Sequence, residues 1–98
     1  MSATPASPLS AAEVEIRLAR LPEWHREGNA IRRAFRFPDF VAAMAFVQRV
    51  ADIAERADHH PDIDIRYGEV TLTLSTHRTG GLTSKDFELA AYADAVAD

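Results

Sequence analysis

Cysteine is absent from this 98-residue chain, which excludes disulfides and thiolate zinc sites alike. No apolar run approaches the roughly 20 residues that a membrane-spanning helix needs. Basic residues are outnumbered, 11 Lys and Arg against 15 Asp and Glu, for a net charge of −4. Phosphate binding needs concentrated Lys and Arg, so nucleic acid is not expected as a direct partner. Met1 to Pro8 has neither the basic nor the apolar segment of a secretory signal, and the default expectation is a cytoplasmic address. What is present, 47% hydrophobic and 27% charged residues, is the composition of one ordinary soluble domain. A chain of this size buries roughly 60–70% of the surface its unfolded form exposes, enough for one modest core.

Residues 1–9, with Pro5 and Pro8 among small side chains, are expected to form a loose tail ahead of a single domain over 10–98. Ser10-Ala11-Ala12-Glu13 has capping-box spacing and opens a short helix to about Arg20, with Val14, Leu18 and Leu21 on one stripe. Trp24–Glu27 and Ala30–Phe37 read as strands joined by Gly28-Asn29, a glycine-first tight turn. Asp39 is placed to cap the longest helix, Phe40 to about Asp58. Its expected buried stripe is Phe40, Ala43, Met44, Val47, Val50, Ala51 and Ala54, with Phe46 and Ile53 beside it. That width of apolar surface suits both a sheet and a second subunit. Pro61 stops the helix. Ile63, Ile65 and Tyr67 then alternate with Asp62, Asp64 and Arg66 as a half-buried strand. Gly68-Glu69 reads as the next turn, and Val70, Leu72 and Leu74 point inward from a fourth strand whose outer side carries Thr71, Thr73 and Ser75. Thr83-Ser84-Lys85-Asp86 caps a last helix with a stripe of Phe87, Ala90, Ala91 and Ala95, leaving Asp94 outside. Short turns make both hairpins antiparallel. The expected fold is α+β in two layers: a four-stranded antiparallel sheet with helices packed on one face.

Chemistry concentrates between Glu55 and Asp86, where three of the four histidines lie: His59, His60 and His77. Histidine both gives and takes a proton near neutrality. Glu55 stands four residues before His59, so on a continuing helix its carboxylate would orient that imidazole and favour its protonated form. Asp86 is read as structural, the last residue of its capping box; Tyr67 is read as strand core, and His25 as solvated. A metal is not expected, because the adjacent His59 and His60 point differently and a helical His-x-x-x-His pair is missing.

The run Ala54-Glu55, Asp58-His59-His60-Pro61, Tyr67, Ser75-Thr76-His77, Gly81-Leu82-Thr83 and Asp86 resembles the pterin-4a-carbinolamine dehydratase family, also known as the dimerisation cofactor family. The similarity extends upstream through Asp39-Phe40, Ile31 with Phe35 and Phe37, and Trp24, covering roughly residues 10–98. The resemblance implies loss of water from 4a-hydroxytetrahydropterin to give quinonoid dihydropterin, which recycles pterin for aromatic amino acid hydroxylases. His59, His60 and His77 match the family's three active-site histidines. Asp58, Ser75, Thr76 and Arg78 fall at its pterin contacts, Arg78 at a variable position. No cofactor is implied, pterin being the substrate. The expected division of labour makes His59 the acid, with Glu55 in support, His77 the base, and His60 a substrate holder. Strict alternation places His77 on the open face of the sheet. The same family also includes binding roles, as stabiliser of a transcription-factor dimer and, in related domains, as an assembly aid for a carboxylase. A homodimer or homotetramer is expected, through edge strands or the long helix.

Overall fold

Local signals set the elements one by one. The structure, a computed structural model, describes residues 7–97. Helix α1, Ala11–Ala19, starts at the Ser10 capping box, with Ser10 Oγ accepting from the Glu13 amide at 3.2 Å. Strands β1, His25–Glu27, and β2, Ala30–Arg36, flank Gly28, whose φ of 59° is the left-handed backbone that a tight turn needs there. Helix α2, Phe40–Ala57, is capped by Asp39, whose side chain accepts from the Ala42 amide at 2.8 Å. Strands β3, Asp62–Arg66, and β4, Glu69–Leu74, lead through a single 3₁₀ turn, His77–Thr79, into helix α3, Ser84–Val96.

The four strands pair antiparallel in the order β1-β2-β4-β3, so the fold is the expected α+β arrangement. The central pair β2–β4 spans the α2–β3 connection, and its register sets Ile31 opposite Leu74 and Phe35 opposite Val70. These side chains share the inner face and are buried, whereas Arg32 and Arg36 on the other parity are exposed. A fully buried Val, Leu or Phe contributes roughly 1.5–3 kcal/mol, so this alternation holds the register. Phe46 of α2 is fully buried between Phe35 and Phe37, with ring centroids at 4.6 and 5.0 Å, and Trp24 meets Phe35 edge-on at 6.0 Å.

Several elements depart from expectation. The buried stripe of α2 runs Ala43, Phe46, Val50 and Ala54; Phe40 and Met44 lie largely outside, 49% and 38% exposed. The sheet therefore takes the stripe centred on Phe46, and the helix is rotated accordingly. In the second hairpin the turn is Tyr67-Gly68, one residue earlier than read, because Arg66 pairs with Glu69. Tyr67 is then a turn residue at φ 52° and 69% exposed, not strand core. Gly68 is required by proximity: a Cβ there would sit 2.4 Å from the Phe37 carbonyl oxygen. Helix α3 buries Phe87, Leu89, Ala90 and Ala93, while Ala91 and Ala95 face out. Asp94 is half-buried and accepts from Arg33 Nη1 at 2.6 Å and Trp24 Nε1 at 2.9 Å, tying α3 to β2 and to the segment before β1. Thr71, expected to face water, is buried on the central strand. The expected tail falls mostly on residues outside the described range. Leu9, at its end, is packed: its amide donates to the Leu82 carbonyl at 2.8 Å.

Candidate active site

The site begins where α2 ends. Asp58 takes the left-handed conformation, φ 50° and ψ 44°, and the His59 amide reaches back five residues to the Ala54 carbonyl at 3.0 Å. This helix ending turns the chain sharply. It carries His59 off the helix surface and into the protein, where the residue is 9% exposed. Glu55 consequently does not meet His59. Its carboxylate pairs with the next residue, His60, whose Nε2 lies at 2.9 Å on the surface. The i,i+4 pairing expected of Glu55 assumed a helix continuing through His59, and the left-handed Asp58 ends it first.

The partner of His59 is Asp86. Its Oδ1 lies 2.5 Å from His59 Nε2. The capping box of α3 is present as expected, with the Thr83 amide donating to Asp86 Oδ2 at 3.0 Å. The structural reading of Asp86 is therefore incomplete, since the box engages one oxygen and leaves the other for the histidine. The same Oδ2 accepts from Thr76 Oγ1 at 2.8 Å, and Asp86 has no exposed surface at all. An ionised carboxylate only accepts, so His59 Nε2 carries the hydrogen of that bond. Nδ1 is left as the ring atom that can exchange a proton with a ligand, and among the described residues it makes no hydrogen bond.

The second histidine segment leaves the sheet before reaching His77. Strand β4 ends at Leu74, and Ser75-Thr76 leads into the 3₁₀ turn, so His77 is not on the strand's open face. Its Nε2 lies 3.4 Å from Ser75 Oγ, and the side chain is exposed. Ser75, Thr76 and His77 line a cleft of about 210 Å³, closed by Asn29 and Ala30 of the first hairpin and by Gly80-Gly81. Of the three histidines, His77 lines this cleft; His59 and His60 do not. What joins the two histidine segments is Asp86, bonded to His59 on one side and to Thr76, the residue preceding His77, on the other. Asp58 and Arg78 are both exposed, at the α2 terminus and in the 3₁₀ turn. Among the described residues no three His, Asp or Glu side chains cluster as ligands for a metal.

The sequence profile described as Pterin 4 alpha carbinolamine dehydratase matches residues 7–96. The chain belongs to this family. A provisionally named pterin-4-alpha-carbinolamine dehydratase of Roseiflexus castenholzii is 58% identical over 88 residues, 90% of this chain and 95% of that protein. Another, of Acidobacterium capsulatum, is 54% identical over 88 residues, 90% and 96% of the two chains. Among solved structures, the transcriptional coactivator/pterin dehydratase from Brucella melitensis superposes with a TM-score of 0.91 at 35% identity, covering 94% of this chain and all of that one. A pterin dehydratase-like RuBisCO assembly factor of the alpha-carboxysome shares the fold at a TM-score of 0.62 and 24% identity, over 76% and 86% of the chains. Asp86 is the residue whose bond to His59 the sequence reading missed. A buried carboxylate has about four acceptor positions, and a capping box uses one or two of them. The spacing Thr83 to Asp86 explains the box and is silent on the remainder.

Proposed function

We propose that this chain dehydrates a 4a-hydroxytetrahydropterin to the quinonoid dihydropterin, recycling pterin for aromatic amino acid hydroxylases. The observation that carries the reading is the shared carboxylate: Asp86 bonds His59 and also the Thr76 that precedes His77. The reaction needs one proton delivered to the departing C4a hydroxyl and one removed from N5. In this reading His59, with Nε2 held by Asp86, delivers a proton from Nδ1 to the hydroxyl, which leaves as water. His77 takes the N5 proton as the N5–C4a double bond forms. Each such transfer typically contributes about 10²–10⁴-fold. Asp86 replaces Glu55 as the support of His59, and Glu55 serves His60, which with Asp58, Ser75 and Arg78 is assigned to hold the pterin. No cofactor or metal takes part, and the reading places the protein in the cytoplasm.

A second reading, binding without turnover, is favoured by one observation. Phe40, Val41 and Met44 expose apolar surface at the start of α2, Val41 at 77%. This surface suits either a protein partner or the homodimer or homotetramer expected from the sequence. Stopped-flow measurement of 4a-hydroxytetrahydropterin dehydration separates the two. Saturable acceleration over buffer is the expected result; a folded protein that gives none leaves only the binding role.

A further inference from the structure

The one hydrogen of the Thr76 hydroxyl is given to a protein partner rather than to the cleft that Thr76 lines. A threonine hydroxyl has one hydrogen to give, and that of Thr76 goes to Asp86 Oδ2 at 2.8 Å, because the carboxylate only accepts. The 2.9 Å contact between Thr76 Oγ1 and Thr83 Oγ1 then takes its hydrogen from Thr83. Thr83 Oγ1 in turn accepts from the Lys85 amide at 3.3 Å. The hydrogens thus run one way along the chain, from the Lys85 amide to Thr83, to Thr76 and to Asp86, whose far oxygen accepts from His59. Thr83 and Asp86 have no exposed surface, so the donors to Asp86 come from the protein, Thr76 being the one that also borders the cleft.

From this we infer that Thr76 is a positioning residue for His59, acting through Asp86, rather than a contact for substrate. Its hydroxyl holds Oδ2 so that Oδ1 faces the imidazole, which fixes the ring's rotation and keeps the hydrogen on Nε2. The capping box alone supplies one donor to Oδ2, the Thr83 amide at 3.0 Å, and Thr76 supplies the second. The chain of hydroxyls also gives Thr83 two separate tasks, capping α3 with its backbone and acceptor oxygen, and aligning Thr76 with its hydrogen.

This inference deepens the dehydratase reading and depends on it for the kinetic part of its test, whereas the spectroscopic part stands without it. Thr76→Val removes the hydroxyl and keeps the shape, and it leaves the Thr83–Asp86 capping box whole; Thr76→Ser restores the hydroxyl. In the wild type, ¹⁵N-edited NMR should show the His59 Nε2 hydrogen as a slowly exchanging downfield signal, with Nδ1 unprotonated in the neutral ring. The signal should persist in Thr76→Ser and be lost or exchange-broadened in Thr76→Val. In stopped flow, kcat of Thr76→Val should fall about tenfold or more, the scale of a misplaced catalytic group, with KM little changed, while Thr76→Ser stays near wild type. A rise in KM with kcat unchanged and an undisturbed His59 signal would show Thr76 to be a substrate contact and overturn the inference. A neutral His59 that carries its hydrogen on Nδ1 rather than Nε2 in the wild type would overturn it too, whether or not the valine variant folds and whether or not the protein turns over pterin.

Discussion

A carboxylate with no exposed surface must find all its hydrogen-bond donors within the protein, and Asp86 finds them in His59, Thr76 and Thr83. Asp86→Asn keeps the volume but offers two hydrogens where the site supplies hydrogens already. Either the amide meets the His59 N–H head-on or the imidazole changes tautomer. Turnover should fall by about 10²–10⁴-fold, the range of a lost acid–base group. Urea titration should show about 1–3 kcal/mol of lost stability from the unsatisfied group. Unchanged turnover would remove Asp86 from the site and return it to helix capping alone. Single residues were also where the sequence was least legible. His59, His60 and His77 stood out by type, but which carboxylate serves which histidine depends on the φ of Asp58, and no spacing rule encodes that angle.

Elements were read more securely, because their signals are local and periodic. Alternation gave Ile31 and Phe35 of β2 and Val70, Leu72 and Leu74 of β4 as inward, though not Tyr67 or Thr71, and the caps at Ser10, Asp39 and Thr83 stand where their side-chain oxygens predicted. The misplaced turn at Tyr67-Gly68 shows the limit. Gly68 was read only as part of a tight turn, whereas it is needed because the Phe37 carbonyl lies against it, and the Phe37 N–H donates to Gly68 O at 2.7 Å. The two glycine turns therefore respond differently to a methyl group. Gly28→Ala meets open space and costs about 1–2 kcal/mol for left-handed backbone. Gly68→Ala must push the Phe37 backbone aside, an overpacking penalty of about 1–3 kcal/mol or more. Thermal unfolding of the two variants checks the order, with Gly68→Ala expected to melt lower. In α2 the period was read correctly and the phase was not, since seven or more apolar positions leave several stripes open and only the sheet's shape selects Phe46.

At the scale of the whole molecule, the aromatic stack over the sheet couples helix α2 to the strands, and the two histidine-bearing segments follow α2 and β4. Phe46→Ala should cost about 3–5 kcal/mol in chemical denaturation. Against a total of about 5–15 kcal/mol for a domain of this kind, that is a large share, and a cost under about 1 kcal/mol would mean the core is not centred there. The fold class was visible in the order of elements, and the family in the spacing of its site residues. That the α2 terminus and the end of β4 belong to one site was expected from their histidines, but the shared carboxylate that joins them was not, because it is a long-range fact. The account's central claim is that two histidines held on those separate segments move protons for one reaction. The most direct test is the dehydration rate of His59→Ala and His77→Ala beside the wild type, with folding confirmed by circular dichroism. Each variant is predicted to lose about 10²–10⁴-fold in kcat; full activity in both would contradict the claim.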